Sequence, residues 1–342
     1  MLVLPALILM GCGGDSGVTL GKKIALILPD TTTAMTVRSY FEDNVKQVCS
    51  NCEVLYSTAK TDAEQQTQAA TAISGGASVI VLDPVNGAAA APIVAQAKAA
   101  NIPVISYDRL VTNTPDLSYY LSFDTEAAGG LLAGSLLTAM GTKANPTIVE
   151  INGDPAASST KTFKEVALTI LKGKAQIGRQ YDTPGGTPAN AKTEMQHALT
   201  DLNNRVDGVL AANDKIAGGA VAAMKGNVRP WPAVTGQGAE LTAIQRIVTG
   251  EQYMTLYMSI KAEAEAAAQL GYDLAYGVAV PASMISGKAV NNGTADVPSV
   301  LLMPVVVTKV NIQSTVVADG FWSADDICTS QYASACAAAG IG

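Results

Sequence analysis

Histidine is nearly missing from this sequence, and its scarcity argues against a common form of catalysis. His197 is the single histidine among 342 residues, so a serine-histidine-aspartate arrangement would have to use it. No Gly-x-Ser-x-Gly motif accompanies it, and its neighbours in the helical stretch 189–202 indicate a solvated position. Patterns for phosphate loops, GxGxxG dinucleotide-binding turns and metal ligands are absent from the sequence as well. We therefore expect a protein that is not an enzyme, with no catalytic residue, no cofactor and no metal ion.

Charged and aromatic residues are also scarce, which favours buried sheets over a nucleic-acid-binding surface. They make up 15% and 5% of the chain, and the net charge of -7 gives nucleic-acid binding no electrostatic support. Abundant alanine, valine, isoleucine and glycine fit buried parallel strands covered by alanine-rich helices. A chain of 342 residues is long enough for about two domains of ordinary size.

The N-terminus lacks an apolar run long enough to span a bilayer as a helix. Residues 1–11 are apolar but too few, and we interpret them as an export signal. Residues 9–12, Leu-Met-Gly-Cys, resemble the lipobox of bacterial lipoproteins, in which the signal is cut before a cysteine that is then lipidated. Cys12 would carry the lipid, and residues 12–20 would form a flexible tether. An ordinary cleavable signal with an incidental cysteine is the alternative.

Export would place the remaining cysteines in an oxidising compartment, where disulfides form. Cys49, Cys52, Cys328 and Cys336 allow three connectivities, and we favour the two local pairs, 49 with 52 and 328 with 336. A CxxC motif can also be a redox pair or half of a zinc site. The motif at 49–52 links a predicted helix to a predicted strand and has no adjacent basic or tryptophan residue, so a structural disulfide is the better interpretation.

After residue 20, short apolar strands alternate with amphipathic or alanine-rich helices, which is the pattern of a parallel sheet. The predicted strands are 24–28, 54–56, 79–82, 104–106, 119–123, 147–151, 209–212 and 255–257. The predicted helices are 38–48, 63–73, 88–100, 126–139, 161–171, 189–202, 216–225, 241–248 and 259–274. No repeat of fixed period appears, but the pattern predicts two α/β halves that face each other across a cleft.

Several predicted strands end on polar side chains. One strand runs into Asp108 and Arg109, and a later strand ends on Asn213 and Asp214. In open parallel sheets, ligands bind outside the carboxyl ends of the strands. A carboxylate beside a guanidinium suits a polyhydroxylated molecule, although a surface ion pair that caps a strand is the alternative. Asp83 ends a further strand, where an ordinary Asp-Pro turn and a place in the cleft are both open.

Acidic residues elsewhere in the sequence are interpreted as structural or solvated. Asp62 and Glu64 belong to the start of a helix, because acidic groups are favourable in a first turn. Glu263 and Glu265 are spaced among alanines, and this pattern predicts a solvated helix face.

Longer motifs in order along the chain resemble the D-xylose-binding proteins of sugar ABC importers. They are residues 106–110 (Ser-Tyr-Asp-Arg-Leu), 119–124, 211–220, 235–237, 290–293, 296–299 and 319–321, and the similarity covers residues 24–340. The resemblance implies the type I periplasmic-binding-protein fold, an α/β fold of two Rossmann-like lobes with parallel sheets, joined by three hinge crossings. One lobe would comprise 21–124 plus 259–290 and the other 125–258 plus 291–327, followed by a C-terminal tail at 328–342.

The resemblance also implies a function. A monosaccharide would be captured between the lobes, and a permease with its ATPase would receive it after hinge closure. We expect a monomer in the periplasm or at the outer face of the cell membrane, held there by its lipid. The alternatives are a sensory protein that presents its ligand to a chemoreceptor or sensor kinase, and an exported enzyme on a similar scaffold.

The resemblance implies that Asp108, Arg109 and Asn213 hydrogen-bond sugar hydroxyls, so we expect replacement of Arg109 by alanine to abolish binding. Other sugar-contacting positions differ from the family's pattern, and here they hold Met35, Ser158, Ser159, Gly186, Gly238 and Met258. The differences remove a stacking face worth ~0.5–1.5 kcal/mol and charged hydrogen bonds worth ~1.5–3 kcal/mol each. We therefore predict a ligand other than xylose that is still polyhydroxylated or polar, with a weakly binding paralogue as the alternative. Further candidate ligand contacts are Asp30, Arg38, Ser159, Tyr181, Asp214 and Gln237.

Overall fold

The computed structural model describes residues 21–155, 158–228, 230–285 and 287–342, and at 158 and 159 it describes the backbone alone. The export signal predicted at 1–11 and the tether predicted at 12–20, with Cys12, lie outside the described residues. Among the described helices, none has both the length and the apolar character needed to cross a bilayer.

Strands and helices alternate along most of the described chain. The first elements are β1 (Lys23–Pro29), α1 (Ala34–Val48), β2 (Glu53–Ala59), α2 (Asp62–Ser74), β3 (Val79–Leu82), α3 (Ala91–Ala99), β4 (Val104–Tyr107), β5 (Tyr119–Phe123), α4 (Thr125–Met140), β6 (Thr147–Asn152), α5 (Ser158–Leu171) and β7 (Gln176–Asp182). They are followed by α6 (Pro188–Asp201), β8 (Gly208–Ala211), α7 (Asp214–Met224), β9 (Ala233–Val234), α8 (Leu241–Thr249), β10 (Met254–Tyr257), α9 (Ile260–Tyr276), β11 (Ala289–Asn291), β12 (Asp296–Leu302), β13 (Val305–Thr308), α10 (Ala324–Ile327) and α11 (Ala333–Ala339). Every predicted strand and helix is present, but strands β7, β9, β11, β12 and β13 and helices α10 and α11 were not predicted.

Two parallel sheets form the cores of two units, which we call the first lobe and the second lobe. The sheet of the first lobe has seven strands in the order β11-β12-β5-β4-β3-β1-β2, parallel except for the β11–β12 hairpin. The sheet of the second lobe has four parallel strands in the order β7-β6-β8-β9. The antiparallel pair β10–β13 adjoins this second sheet through a bridge between Gln237 and Leu256.

Helices cover both faces of each sheet, which explains why so many strands are apolar along their whole length. In the first lobe, α1 and α9 pack on one face, and α2 and α3 pack on the other. In the second lobe, α6 and α7 pack on one face, and α4 and α5 on the other. Strands β3, β4 and β8 are fully buried, as expected for a parallel sheet between helix layers.

The chain crosses between the lobes three times, after β5, after β10 and after β12. Residues 291–302 were expected in the second lobe, and this expectation is wrong. Strand β12 pairs in parallel with β5, and its Ser299 is fully buried in the sheet of the first lobe. The third crossing therefore lies between β12 and β13. Nothing local in residues 291–302 indicates which sheet they join, because their partner strand is remote in sequence.

Asp319 connects the crossings to the first lobe. Its carboxylate accepts hydrogen bonds from the hydroxyl of Ser259, at 2.9 Å, and from the hydroxyl of Tyr257, at 3.2 Å. Ser259 is also the N-cap of α9, since its hydroxyl accepts from the main-chain nitrogen of Ala262. The main-chain carbonyl of Asp319 accepts from the hydroxyl of Tyr40, on α1, at 2.7 Å. Asp319, which follows β13 in the chain, thus contacts both the crossing from β10 to α9 and helix α1 of the first lobe.

Both predicted disulfides are present in the structure. Cys49 is bonded to Cys52 in the turn between α1 and β2, and Cys328 is bonded to Cys336 near the C-terminus. The C-terminal tail packs against α8 through Cys336 and Ile341, which are both buried. Both bonds join the local pairs that the sequence analysis favoured.

Candidate functional site

A cavity of ≈ 670 Å³ lies between the two lobes, at the carboxyl ends of both sheets. This volume is typical of small-molecule sites, which often lie between two domains. Polar residues from both lobes line it: Thr31, Thr33, Asp83, Tyr107, Asp108, Ser122 and Glu263 from the first, and Asp154, Thr160, Asn213, Lys215 and Gln237 from the second.

The first lobe lines the cavity with three carboxyl groups, Asp83, Asp108 and Glu263, which we call the acidic face. Asp83 and Glu263 are 7% and 5% exposed, and Tyr107, at the end of β4, is 2% exposed. Oδ1 of Asp83, Oε1 of Glu263 and the Tyr107 hydroxyl have no hydrogen-bond partner among the described residues. These three atoms have almost no accessible surface of their own, and the Tyr107 hydroxyl and the Glu263 carboxyl interact with each other, so these side chains form a buried polar layer behind the cavity lining.

Burial and mutual repulsion shift the pKa values of the acidic face. Burial, reinforced by the negative charge of Asp108, raises the pKa of Asp83 to about 7 and that of Glu263 to about 9. Asp108 is exposed to the open cleft, yet its position between the lobes costs its carboxylate enough hydration to raise its pKa too. The charge of Arg109 opposes the shifts of Asp83 and Asp108. The charge of the acidic face therefore changes around neutral pH and responds to any nearby cation.

The interpretation of Glu263 as a solvated residue is wrong. It is buried on α9 and lines the cavity, whereas Glu265 on the same helix is half-buried and does not. Helical spacing carries a signal for this placement, because Glu263, Ala267 and Leu270 follow one another at i, i+4 and i+7 and all three are buried. The surrounding alanines conceal that signal, since alanine is common on both buried and exposed helix faces.

Asp108 has an unusual backbone conformation, with a φ of +56°. Aspartate is one of the few residues besides glycine that adopt this left-handed region, and strained backbone of this kind clusters at functional sites. Two hydrogen bonds hold the turn: the main-chain nitrogen of Asp108 donates to the carbonyl of Leu121, and its carbonyl accepts from the hydroxyl of Tyr120 at 3.0 Å.

Arg109 lies beside the cavity and does not line it. Its Nη1 donates to the carbonyl of Pro84 at 3.2 Å and to that of Val85 at 3.4 Å, and its Nε lies 3.7 Å from Oδ1 of Asp83. The last distance is that of an ion pair and is too long for a hydrogen bond. The guanidinium therefore holds the turn after β3 and counters part of the charge of Asp83, so a direct contact with the ligand has no support from its placement.

The second lobe presents mostly neutral groups to the cavity. Oδ1 of Asn213 caps α7 by accepting a main-chain hydrogen bond at 2.9 Å, and its amide nitrogen lies 4.0 Å from the position that a Cβ would take at Gly186. Gly186 has a φ of +58°, a conformation that favours glycine. Gln237 lines the cavity as well, while Asp154 and Lys215 contribute one charge of each sign.

Asp214 was expected to contact the ligand, and the structure corrects this expectation. It is 1% exposed and faces the interior of the second lobe. Its Oδ1 accepts from the side chain of Gln252 at 2.8 Å, and its Oδ2 accepts from the hydroxyl of Thr255 at 2.9 Å and from the main-chain nitrogen of Glu240 at 3.0 Å. Because its oxygens are used in this way, Asp214 stabilises the lobe and is not available to a ligand.

Asp30 and Arg38 were also expected in the site, and both lie outside it. The carboxylate of Asp30 pairs with Lys60 at the surface, at 3.5 Å. The guanidinium of Arg38 lies 2.7 Å from the carboxylate of Glu42 and stands over the ring of Tyr56, 4.5 Å from its centroid. Both side chains therefore have partners remote from the cavity.

Tyr181 packs against the core of the second lobe and does not line the cavity, so its predicted contact is also wrong. The side chain of Ser159, like that of Ser158, lies outside the described residues. Of the other positions that differ from the family's pattern, Gly186 and Met258 line the cavity, and Met35 and Gly238 do not.

Two minor interpretations agree with the structure. His197 is exposed on α6, as expected for a solvated side chain. Asp62 and Glu64 lie in the first turn of α2, where Glu64 and the N-cap residue Thr61 form a capping box. None of these groups lies near the cavity lining.

Two lobes that enclose a polar cavity define a bilobal solute-binding protein. The chain belongs to the periplasmic binding protein family, because the model of the periplasmic binding protein domain matches residues 24–278. The D-xylose-binding periplasmic protein of Escherichia coli (strain K12) is 36% identical over 263 residues, which cover 75% of this chain and 77% of that protein. The protein of the same name from Haemophilus influenzae is 34% identical over 272 residues, which cover 78% and 80%.

A solved structure extends the comparison to three dimensions. The ABC transporter solute-binding protein of Clostridium phytofermentans, with bound β-D-glucose, has a TM-score of 0.70 and 26% sequence identity, and the match covers 90% of this chain and 100% of that one. The predicted resemblance and the predicted two-lobed α/β fold are thus confirmed. The prediction of a binding protein in place of an enzyme is confirmed by the same family membership.

Proposed function

We propose that this protein is the extracytoplasmic solute receptor of an ABC-type importer and binds a monosaccharide or a related polyol. The observation that carries the proposal is the cavity between the lobes, to which the strand ends of both sheets contribute hydrogen-bonding side chains. The relatives named D-xylose-binding periplasmic proteins and the glucose-bound solute-binding protein support a sugar as ligand, a permease as partner and a periplasmic location.

Closure of the cleft is the physical basis of the proposed function. Asp83 and Asp108 would hold the solute from the first lobe, and Asn213 and Gln237 would hold it from the second. Contacts from both lobes exist together only in the closed form, so the solute shifts the hinge equilibrium towards closure. The permease would then bind the closed surface, and its ATPase would drive uptake.

The solute is proposed to differ from xylose. Gly186 and Met258 line the cavity where the resemblance led us to expect an aromatic face and an ammonium group. Neither a glycine nor a methionine supplies those contacts, and of the candidate contacts Asp30, Arg38 and Tyr181 none lines the cavity. Among the predicted substitutes, Gln237 does line it.

The location and state of the mature protein belong to the same proposal. Cys12 would be lipidated and would anchor a monomer at the outer face of the cell membrane, with residues 12–20 as its tether. Replacing Cys12 by alanine tests the anchor, since the protein should move from the membrane fraction to the soluble fraction. Gel filtration of the soluble form at a range of concentrations tests the monomer.

A thermal-shift screen of the mature protein against pentoses, hexoses, polyols and nucleosides tests the ligand class. A ligand at 100 times its dissociation constant should stabilise the protein by ~2.7 kcal/mol, which is easily measured. Small-angle scattering with and without the best compound tests closure. A stronger response to xylose than to any other compound would contradict the proposed change of ligand, and no response to any sugar or polyol would contradict the function itself.

A further inference from the structure

The acidic face contains more carboxyl groups than the fold provides cations to pair with them. Among the described residues that line the cavity, Lys215 is the one basic residue, and it belongs to the opposite lobe together with Asp154. The cation nearest to Asp83 is Arg109, whose guanidinium already donates to two main-chain carbonyls. Asp83 and Glu263 are each more than nine-tenths buried, line the cavity, and have no basic side chain beside them in its lining from their own lobe.

We propose that the cavity selects a solute carrying a protonated amine beside its hydroxyl groups, with the amine held by Asp83, Asp108 and Glu263. This inference rests on the proposed function, since it concerns the solute that the same cleft would close upon. It names a class of substrate, the amino sugars and amino alcohols of sugar size.

The number of hydrogen-bond donors favours an amine over a hydroxyl group. An ammonium group has three donors and no acceptor, whereas a hydroxyl has a single donor. The acidic face offers three carboxyl groups at the cavity, those of Asp83, Asp108 and Glu263. An ammonium group can donate to more than one of them, and hydrogen bonds between ionised partners are about twice as strong as neutral ones.

Electrostatics points in the same direction. Burial, reinforced by repulsion from the charge of Asp108, raises the pKa values of Asp83 and Glu263, so these groups tend to hold protons near neutral pH. A cation in the cavity takes over the role of those protons and releases them to the buffer. A neutral sugar has no positive charge to replace those protons, so they stay on the carboxyl groups when it binds.

The second lobe fits the remainder of such a solute. Asn213 and Gln237 offer amide donors and acceptors for hydroxyl groups, and Gly186 leaves room for a ring or chain beside the Asn213 amide. The groups that face the acidic face are therefore Arg109, Tyr107 and Tyr120 from its own lobe, with Asp154 and Lys215 across the cleft.

Titration calorimetry on the mature protein with two matched compounds tests the inference. The first is 1-amino-1-deoxy-D-glucitol and the second is D-glucitol, which differ only in an amine that replaces one hydroxyl; D-glucosamine and D-glucose form a second pair. At pH 8 we expect the amine of at least one pair to bind about tenfold more tightly or better. The advantage should shrink at pH 6, because protons then compete with the amine for Asp83. Because we expect the amine to release protons, its observed binding enthalpy should change with the ionisation enthalpy of the buffer.

Two variants connect this readout to the acidic face. Glu263→Gln should reduce the ratio of amine to hydroxyl affinity by about tenfold, because it removes one charged acceptor. Glu265→Gln is the matched control, since it removes the same charge from the same helix outside the cavity, and the ratio should stay within about twofold. Folding of both variants is checked by circular dichroism and thermal unfolding.

The outcomes separate this inference from the proposed function. If sugars or polyols bind but their amine counterparts bind no better at pH 8, the inference is wrong and the proposed function stands. If the amine advantage is the same in Glu263→Gln as in the unchanged protein, the placement of the amine is wrong. If no compound of either kind binds, both the inference and the proposed function are overturned.

Discussion

Asp108 and Asn213 occupy corresponding places, each just beyond the end of a central strand, yet the residues that follow them have different roles. After Asp108, the guanidinium of Arg109 remains half-exposed beside the cavity and donates to the carbonyls of the turn after β3. After Asn213, the carboxylate of Asp214 is buried inside its lobe and accepts three hydrogen bonds. In both pairs the first residue lines the cavity and the second supports the fold.

The difference lies in where each lobe keeps its negative charge. The first lobe directs Asp83, Asp108 and Glu263 towards the cavity, whereas the second lobe turns Asp214 inward and presents amides, glycines and balanced charges. The charge preference of the site is therefore expected to depend on the first lobe. The second lobe would contribute shape and neutral hydrogen bonds.

Among the variants that test this comparison, Asp214→Ala is expected to have the largest effect, a loss of stability. Removal of the carboxylate leaves the buried donors of Gln252, Thr255 and the main chain without an acceptor, at ~1–3 kcal/mol for each unsatisfied group. We expect a loss of roughly 3 kcal/mol or more, and a fall in Tm on the order of 6 °C or more, in thermal unfolding. An unchanged Tm with lost ligand binding would instead mean that Asp214 contacts the ligand.

A second test concerns Glu263 and the pH dependence of stability. Its pKa is raised from 4.5 to about 9, so the folded protein keeps a proton that the unfolded chain releases, and stability falls as the pH rises between those values. Glu263→Gln removes this loss, and at pH 9 the variant should gain on the order of 2 kcal/mol relative to its difference at pH 5. Unfolding at both pH values measures the gain. Glu265→Gln is the control, and parallel curves for both variants would contradict the burial of Glu263.

Ligand affinity directly compares the roles of Asp108 and Asn213 at the two strand ends. Asp108→Asn keeps a residue that tolerates positive φ but removes the charge, so we expect affinity to fall by ~1.5–3 kcal/mol, about 10- to 150-fold. Asn213→Ala removes a neutral hydrogen bond and should cost ~1 kcal/mol, about fivefold. Calorimetry with the best compound of the screen compares them. Equal losses, or a larger loss for Asn213→Ala, would contradict the assignment of charge to the first lobe.

The smallest effect is expected for Arg109→Ala. The side chain does not line the cavity and forms a half-exposed ion pair with Asp83, and such pairs contribute ~0.2–1 kcal/mol. Affinity should therefore fall by about fivefold or less, in place of the complete loss expected from the resemblance alone. Complete loss of binding, with an unchanged Tm, would show that Arg109 turns to the ligand in the closed form.

Most of the fold could be predicted because its signals are local. Apolar runs, glycine stops and helical spacing indicate every strand and helix up to β6, and half of those after it. The missed strand β7 is mostly polar and partly exposed, and β12 belongs to a sheet whose other strands are far away in sequence. The local sequence pattern indicates neither of these features. Because it did not show that β12 pairs with β5, the third crossing was placed wrongly.

The candidate site was predicted in part. Asp108, Asn213 and Gln237 line the cavity as expected, and the strand ends before Asp108 and Asn213 were recognisable from the sequence. Asp30 follows the first strand just as closely, yet its side chain pairs with Lys60 outside the cavity. Proximity to a strand end thus gives a candidate, while the direction of a side chain depends on its partners.

The sequence by itself determined most of the alternation of strands and helices and the family, and it favoured the two disulfides, because each depends on spacing along the chain or on motifs read in order. Tertiary structure alone decided that Glu263 faces the cavity, that Asp214 turns inward and that Arg109 lies aside. The physical reason is that a charged side chain is positioned by the hydration and the partners around it. Those surroundings come from elements that meet only when the two lobes have folded.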